Sequence, residues 1–217
     1  MTPDYAYARE MMVEQQVRPW DVLDPRVVAV LAAVPRELFV PTAYLGAAYA
    51  DVALPLAHGE YMLKPVVAGR ALEALRPKDT DDVLEIGTGS GYVTACLAQL
   101  AREVTSIDRH ADLVDAARAR VEQIGAANVR FEVADALSWS TDRQFDAICV
   151  NAAVDTIPKQ FVAMLKPGGR MFIVRGRAPA MEAVCVRNEN GTPRIESLFE
   201  TDIPYLAGAA PVPVFQF

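Results

Sequence analysis

From residue 82 onward, short apolar runs alternate with longer amphipathic stretches. The runs span residues 83–86, 104–107, 129–133, 145–150 and 171–174. Between the second and third runs, residues 111–125 place their apolar positions on one helical face and end at Gly125, a residue that favours helix termini. This alternation predicts an α/β fold with a mostly parallel sheet and helices on both of its faces.

The pattern changes after residue 169. Two segments, 181–187 and 195–203, flank the letters NENG, in which Asn190-Gly191 is typical of a tight hairpin turn. The sequence therefore predicts that an antiparallel pair of strands completes the sheet, which then has about seven strands.

The first 65 residues have a different pattern. Asp24 and Pro25 mark a helix start, because the Asp carboxylate can accept hydrogen bonds from free amides and proline has no amide to leave unpaired. Residues 51–65 contain two prolines and a glycine, which predicts loop or short extended pieces. We therefore divide the chain into a helical extension with a loop, residues 1–65, and a sheet domain, residues 66–217, within one compact unit.

Composition limits the class of protein. The chain has 217 residues, 52% of them apolar, which is enough for one sizeable core. Its formal net charge is −7, and we see no cluster of five or more Lys and Arg residues. Because nucleic-acid binding needs a basic surface to neutralise phosphates, the charge argues against a nucleic-acid partner.

The cysteines and the chain ends indicate a cytoplasmic protein without a membrane span. Cys96, Cys149 and Cys185 lie in apolar runs with no short spacing between them, so we expect buried free thiols, which suit a reducing compartment. The N-terminus carries acids where a secretory signal would be basic and then apolar. The longest uncharged run, residues 203–217, is too short to cross a bilayer.

The letters DVLEIGTGSGYV, residues 82–93, indicate a cofactor loop. Gly87, Gly89 and Gly91 follow the first strand and open a helix, where small residues let a ligand approach the backbone. The spacing G-x-G-x-G differs from the G-x-G-x-x-G fingerprint of dinucleotide sites. Asp108, at the end of the second strand, suits the ribose of either kind of cofactor.

Two further acids favour one cofactor. Glu85 lies just before the glycines, where its carboxylate can anchor loop amides or face a cationic ligand, and Asp135 follows the third strand, where it can accept from an adenine amino group. Acids at these positions would repel a pyrophosphate but attract a sulfonium and an ammonium group. The sequence therefore predicts a methyltransferase that uses S-adenosylmethionine.

These residues carry a family resemblance. The stretches VLEIGTGSGYV, SID, FDAICVNAA and LKPGGR resemble the motif series of class I methyltransferases, which have a Rossmann-like fold. Upstream, MMVEQQV, VPRELFVP and AYADVALPLAHG resemble the N-terminal region of protein-L-isoaspartate O-methyltransferases. The resemblance implies methylation of isoaspartyl carboxylates in damaged proteins or peptides, residues 1–65 supplying the active-site loop and residues 66–217 binding the cofactor.

The resemblance also implies which residues bind the cofactor. It places Gly87 and Gly89 against the methionine part, Asp108 on the ribose and Asp135 near the adenine. Asn151 falls in the motif beside the transfer site, where the family usually has Thr. The complete expected set is Glu85, Gly87, Thr88, Gly89, Asp108, Arg109, Asp135, Ala136 and Asn151.

The chain departs from the family in one short segment. The family has T-I-S-x-P over the active site and assigns catalysis to its serine, whereas residues 59–65 here read GEYMLKP, with Tyr61 at the Thr position and Leu63 at the Ser position. Leucine cannot form a hydrogen bond, but a carboxylate acceptor is ionised at pH 7 and needs no general base. We therefore assign no catalytic residue and keep His58, beside the segment, as a candidate.

Two alternatives to an isoaspartyl substrate stay open. The lost serine also fits a methyltransferase with another acceptor, such as a small acidic molecule or a different protein group. A protein that binds the cofactor without catalysis is the other alternative. The oligomeric state, monomer or homodimer, is open as well.

The remaining polar candidates give weaker signals. The two histidines and three cysteines show no metal-ligand spacing, so the sequence predicts no metal site. His110 reads as the start of a surface helix. Arg175 and Arg177 follow the fifth strand, where pairing with an acidic substrate and simple solvation are equally compatible with the pattern. For Phe215 and Phe217 we favour packing back on the sheet over capping the pocket or filling a subunit interface.

Overall fold

The computed structural model of the chain describes residues 4–189 and 191–212. A short pair of strands, β1 Leu54–Pro55 and β2 Tyr61–Met62, stands apart from the main sheet. Over the described residues the main sheet has seven strands, in the order β5-β4-β3-β6-β7-β8-β9. Strands β3 to β7 pair in parallel, and β8 and β9 add antiparallel. The strands are β3 Asp82–Ile86, β4 Glu103–Asp108, β5 Val129–Val133, β6 Phe145–Val154, β7 Leu165–Arg177, β8 Ala180–Glu189 and β9 Thr192–Thr201.

This topology confirms the predicted Rossmann-like α/β fold. All five apolar runs lie within parallel strands, although β6 and β7 extend well beyond the runs that indicated them. The predicted segment 195–203 is corrected at its end, since β9 stops at Thr201 and Ile203 lies outside it. Asn190 of the predicted turn lies outside the described residues, and Gly191 after it has a φ of 91°, which suits glycine.

In the part of the chain that the structure describes, six α-helices accompany the sheet. The predicted start at Asp24 is observed, because its side chain accepts from the Arg26 and Val27 amides and Pro25 takes the first helical position. Residues 13–20 continue α1 as a π-helical and then a 3₁₀ turn. The helices are α1 Tyr5–Met12, α2 Pro25–Ala33, α3 Pro65–Leu75, α4 Tyr92–Leu100, α5 Ala111–Gln123 and α6 Lys159–Ala163.

Alternation along β3 divides the core between the two faces of the sheet. Val83 packs in a large cluster with residues of α1 to α4, whereas Leu84 and Ile86 pack in a second cluster with Phe161 of α6. The N-terminal helices thus share the larger cluster with one face of the sheet. Side chains of a strand point alternately to its two faces, so Glu85 points to the same face as Val83.

The segment after β9 returns to the sheet beside β6. The Ala153 amide donates to Pro204 O at 2.8 Å, and the Leu206 amide donates to Ala153 O at 2.7 Å. This strand-like pairing brings residues 204–207 to the carboxyl end of β6. Phe215 and Phe217 lie outside the described residues.

Two further expectations from the sequence concern the cysteines and membrane-spanning helices. Cys96, Cys149 and Cys185 are buried free thiols. Among the helices of the described ranges, none combines the length and apolar character that a bilayer crossing requires.

Candidate active site

The glycine loop follows β3 and begins α4. The backbone φ angles of Gly87, Gly89 and Gly91 are 89°, 51° and 86°, values that residues with a side chain rarely adopt. A Cβ on Gly91 would lie 2.8 Å from Ala117 Cβ of α5, so this glycine allows the two helices to approach. The other two glycines expose their backbone to a cleft.

The cleft lies at the carboxyl ends of β3, β4 and β6, where ligands of open parallel sheets generally bind. We call it the cofactor cleft. Seven of the nine residues expected to bind the cofactor line it: Gly87, Gly89, Asp108, Arg109, Asp135, Ala136 and Asn151. Its remaining walls are Glu60, Tyr61, Ile86, Ile107, Ala134, Ala152, Leu206 and Ala207.

Asp108 holds two backbone segments at the cleft. Its Oδ2 accepts from the Gly89 amide and its Oδ1 accepts from the His110 amide, both at 3.0 Å. One carboxylate therefore fixes the glycine loop relative to the start of α5. Each oxygen has a second lone pair left for a ribose hydroxyl.

Glu85 occupies a different place from the one that its sequence position suggested. Its carboxylate is fully buried beneath the glycine loop, accepting from the hydroxyls of Thr94 and Ser106 and from the Asn151 side-chain amide. It contacts neither loop amides nor the cleft in the described structure, because the strand turns it towards α4. Burial raises the pKa of Glu85 to about 7, against the hydrogen bonds from Ser106, Thr94 and Asn151, which lower it.

Thr88 also supports the loop from below. Its hydroxyl lies 2.6 Å from the Ser106 hydroxyl, and the residue is buried. Thr88 and Glu85 thus form one buried polar cluster with Thr94 and Ser106. A cluster of this kind fixes the loop without itself facing the cofactor cleft.

Asn151 connects the buried cluster to the cleft. Its Nδ2 donates to Glu85 Oε1 at 2.8 Å and to Gly87 O at 2.9 Å. Both donor positions of the amide are therefore used for positioning the loop, and the residue lines the cleft next to Gly87.

A smaller cavity adjoins the cofactor cleft, and we call it the acceptor cavity. Tyr61, Met62 and Leu63 form one side of it, and Gly87, Thr88, Gly89, Ser90, Tyr92, Val93 and Asn151 form the other. Tyr61 is 45% exposed and lines both cavities, whereas Leu63 is 8% exposed. The departing segment therefore places an apolar side chain at the wall where the family serine was expected.

Weak secondary structure holds that segment. Strand β2, Tyr61–Met62, pairs with β1, Leu54–Pro55, over only two residues each. The Leu56 amide donates to Glu60 O at 2.8 Å, which closes a turn at residues 56–60. Pro65 then begins α3, as its missing amide favours.

Sequence reasoning missed Arg36, which lies behind the segment. Its guanidinium is fully buried, donates from Nη2 to Leu63 O and from Nε to Ala48 O at 2.8 Å each, and stacks 4.7 Å from the Tyr92 ring. Burial lowers the pKa of Arg36. An arginine amid the apolar letters VPRELF was the available signal.

The histidines lie together at the rim of the cleft. His58 Nε2 is 2.9 Å from both carboxylate oxygens of Asp112, and its ring stacks on His110. Among the described residues lining the two cavities, His58 does not occur, so its contacts do not support the catalytic candidacy. Ligand atoms of His58, His110 and Asp112 lie within 4.8 Å of one another, although their sequence spacing gave no sign of a metal site.

The two arginines after β7 point to acids of this chain. Arg175 pairs with Glu182 at 3.1 Å and Arg177 pairs with Asp155 at 3.0 Å. Leu206 and Ala207, which line the cleft, had no signal in the sequence because the long return of the chain brings them there.

The charges of the cofactor cleft suit a cationic ligand. Its lining carries three acids, Glu60, Asp108 and Asp135, and one base, Arg109. A pyrophosphate would meet repulsion from the carboxylates, whereas a sulfonium and an ammonium would be attracted. The open glycine backbone and the acid at the end of β4 therefore fit S-adenosylmethionine.

Comparison with known proteins gives consistent matches. The family model described as protein-L-isoaspartate(D-aspartate) O-methyltransferase matches residues 8–203. A protein-L-isoaspartate O-methyltransferase of Methylorubrum extorquens is 41% identical over 196 residues, which cover 90% of this chain and 85% of that protein. One of Dictyoglomus turgidum is 38% identical over 190 residues, covering 87% and 86%.

Solved structures show the same fold. A structure of a protein-L-isoaspartate O-methyltransferase superposes with a TM-score of 0.80 at 24% identity, covering 93% of this chain and 66% of that one. A Plasmodium falciparum protein of the same name, in complex with S-adenosyl-L-homocysteine, superposes with a TM-score of 0.79 at 19% identity, covering 94% and 98%.

Proposed function

The chain belongs to the protein-L-isoaspartate(D-aspartate) O-methyltransferase family, and from this premise we propose that it methylates the carboxylate of isoaspartyl residues in damaged proteins and peptides. The family uses S-adenosylmethionine as methyl donor. The observation that carries the proposal is that the two cavities are adjacent, with Tyr61, Gly87, Gly89 and Asn151 lining both of them. Donor and acceptor sites therefore meet at the glycine loop.

The residues at the cleft divide the work of binding. In this proposal Asp108 accepts from the ribose hydroxyls, Asp135 accepts from the adenine amino group beside Ala136, and the backbone of Gly87 and Gly89 borders the methionine part. Arg109 lies at the exposed rim. Asn151, Glu85 and Thr88 act from the loop's other side by holding its conformation.

The methyl transfer needs no acid or base from the acceptor cavity. An ionised carboxylate oxygen forms the new bond to the methyl carbon, while the carbon–sulfur bond breaks and its electron pair stays on sulfur, so no proton moves. Catalysis then consists of alignment and of excluding water. The apolar side chains of Met62, Leu63 and Val93 in the cavity wall serve the exclusion of water.

A second acceptor is favoured by one observation, the leucine at the wall of the acceptor cavity. Leu63 offers no hydrogen bond to an isoaspartyl carboxylate, and the loss of one such bond costs about 1–3 kcal/mol, or roughly tenfold to a hundredfold in rate. The alternative proposal keeps the methyl donor and assigns a small acidic molecule or another protein group as acceptor.

Radiolabelled methyl transfer tests the substrate. We expect incorporation of base-labile methyl groups into an isoaspartyl peptide, none into the same peptide with normal aspartate, and a loss of incorporation in Asp135→Ala. Leu63→Ser should raise the rate on the isoaspartyl peptide. If the wild type binds S-adenosylhomocysteine in a calorimeter but matches Asp135→Ala in transfer, the isoaspartyl substrate is refuted and the alternative acceptor stands.

The cellular location is also part of the proposal. We place the protein in the cytoplasm, supported by its three buried free cysteines, which suit a reducing compartment. Cell fractionation with an antibody against the chain tests the location, and recovery outside the cytoplasmic fraction would contradict it.

A further inference from the structure

The chain has two histidines, and the fold brings both to one point on the rim of the cofactor cleft. His58 lies in the turn at residues 56–60, and His110 is the N-cap residue of α5. Their rings are parallel within 2° and their centroids are 4.0 Å apart. Two elements far apart in sequence thus present both imidazoles of the protein side by side.

Carboxylates surround the imidazole pair. Asp112 lies with both oxygens 2.9 Å from His58 Nε2, and Glu60 Oε1 lies 3.7 Å from His110 Nε2. One ligand atom each from His58, His110 and Asp112 falls within 4.8 Å of the other two.

We propose that His58, His110 and Asp112 form a binding site for one divalent transition-metal ion of the zinc type. Two imidazole nitrogens with one carboxylate oxygen make a donor set that zinc, cobalt and nickel prefer, whereas calcium and magnesium prefer oxygen alone. Three protein ligands leave a fourth position for water, or for Glu60.

The adjustment that the side chains need is small. Ligand atoms around a tetrahedral zinc ion are about 3.3 Å apart, so groups within 4.8 Å of one another must move by about 1 Å, and the imidazoles must turn out of their parallel stack. The side chains of His58 and Asp112 are 42% and 61% exposed, which leaves them room to turn. The backbone of both elements can stay in place.

Such an ion would join two parts of the cofactor cleft. The His110 amide donates to Asp108, and Glu60 of the turn lines the cleft with Arg109. A metal ion would therefore hold the turn at residues 56–60 against the start of α5. We expect bound Zn²⁺ to slow the release of S-adenosylhomocysteine.

Direct metal titration tests the site. Tag-free protein, stripped with a chelator, is titrated with ZnCl₂ in a calorimeter, and we expect one ion per chain. His58→Asn and His110→Asn should each weaken binding at least tenfold, and so should Asp112→Asn. Asparagine tolerates both the left-handed backbone of residue 58, φ 61°, and an N-cap position. Asp115→Asn, an exposed acid on the same helix, is the matched control and should bind as the wild type does.

A second measurement needs no variant. Co²⁺ added to the wild type should give the intense visible absorption of a tetrahedral site, and lowering the pH should abolish it because protons compete for the imidazole nitrogens. Absence of these bands, absence of stoichiometric Zn²⁺ binding, or equal binding by wild type and all three variants would each overturn the site. Neither titration uses a methyl donor or acceptor, so failure here is distinguishable from failure of the proposed function.

Discussion

The two walls of the site are built in different ways. The glycine-loop wall rests on buried strands, and its polar groups, Glu85, Thr94 and Ser106, are wholly covered. The opposite wall, residues 54–63, rests on two-residue strands, and exposed contacts of His58 with Asp112 and His110 link it to α5. One buried residue, Arg36, binds that wall to the N-terminal helices.

This difference explains which half of the site can vary. Substitutions beneath the glycine loop break buried hydrogen bonds, which are costly to leave unmade. Substitutions in the opposite wall change exposed or apolar side chains, while the backbone is still held by Arg36 through Leu63 O. A leucine at position 63 is therefore compatible with the fold, and under the proposed function the acceptor could differ while cofactor binding persists.

The largest effect is expected from crowding beneath the glycine loop. Gly91→Ala places a Cβ 2.8 Å from Ala117 Cβ at a φ of 86°, and we expect a loss of about 2–5 kcal/mol of unfolding free energy from strain and overpacking. Gly125→Ala is the matched control, since it has a φ of 79° and open space around the Cβ, and should lose only about 1–2 kcal/mol. Urea denaturation measures both, and equal losses would contradict the crowding.

The next effect concerns pH. Because the pKa of Glu85 rises from 4.5 to about 7 on folding, the folded state keeps a proton that the unfolded state has released between these values. The contribution of Glu85 to the free energy of unfolding is therefore largest below pH 4.5. It decreases by about 3 kcal/mol as the pH rises from 4.5 to 7. Glu85→Gln removes the charge and keeps an acceptor for Asn151.

The pH dependence of the free energy of unfolding should therefore differ between the wild type and Glu85→Gln. Relative to the wild type, Glu85→Gln should gain stability between pH 5 and 7 and stay level above that range. Urea denaturation at several pH values measures the difference, with the exposed Glu122→Gln as control. A constant difference at all pH values would show that Glu85 is already ionised in the fold.

A smaller effect is expected from the buried anchor of the opposite wall. Arg36→Lys keeps the positive charge but cannot reach both Leu63 O and Ala48 O, so one buried carbonyl is left unpaired at a cost of about 1–3 kcal/mol. Loss of a hydrogen bond to the Leu63 or Ala48 carbonyl should displace the segment that lines the acceptor cavity. KM for the acceptor should therefore rise, while the affinity for S-adenosylhomocysteine changes little. If Arg36→Lys weakened the binding of acceptor and of S-adenosylhomocysteine equally, the two walls would not be independent.

The smallest effect is expected at the exposed contact between His58 and Asp112. With a chelator present, a double-mutant cycle of His58→Asn and Asp112→Asn should give a coupling below about 1 kcal/mol, because both side chains are solvent-exposed and screened. Thermal or urea denaturation of the four proteins measures it. A coupling of several kcal/mol would contradict the prediction, because it would show that this contact contributes as much as the buried contacts of the glycine-loop wall.

The sequence by itself determined the sheet and the cofactor wall. Apolar runs, helix starts such as Asp24-Pro25 and the glycine spacing act over a few residues, so their consequences follow from local physics. Asp108 and Asp135 were predictable for the same reason, because the carboxyl ends of parallel strands meet at one edge of the sheet.

Tertiary structure alone decided the rest. The pleat of β3 turned Glu85 away from the cleft, the return of the chain after β9 brought Leu206 to its wall, and the packing of the N-terminal helices placed Arg36 behind Leu63. The meeting of His58 with His110 is of the same kind. Each contact joins residues distant in sequence, and such pairings are fixed by the packing of whole elements, which no short window of letters contains.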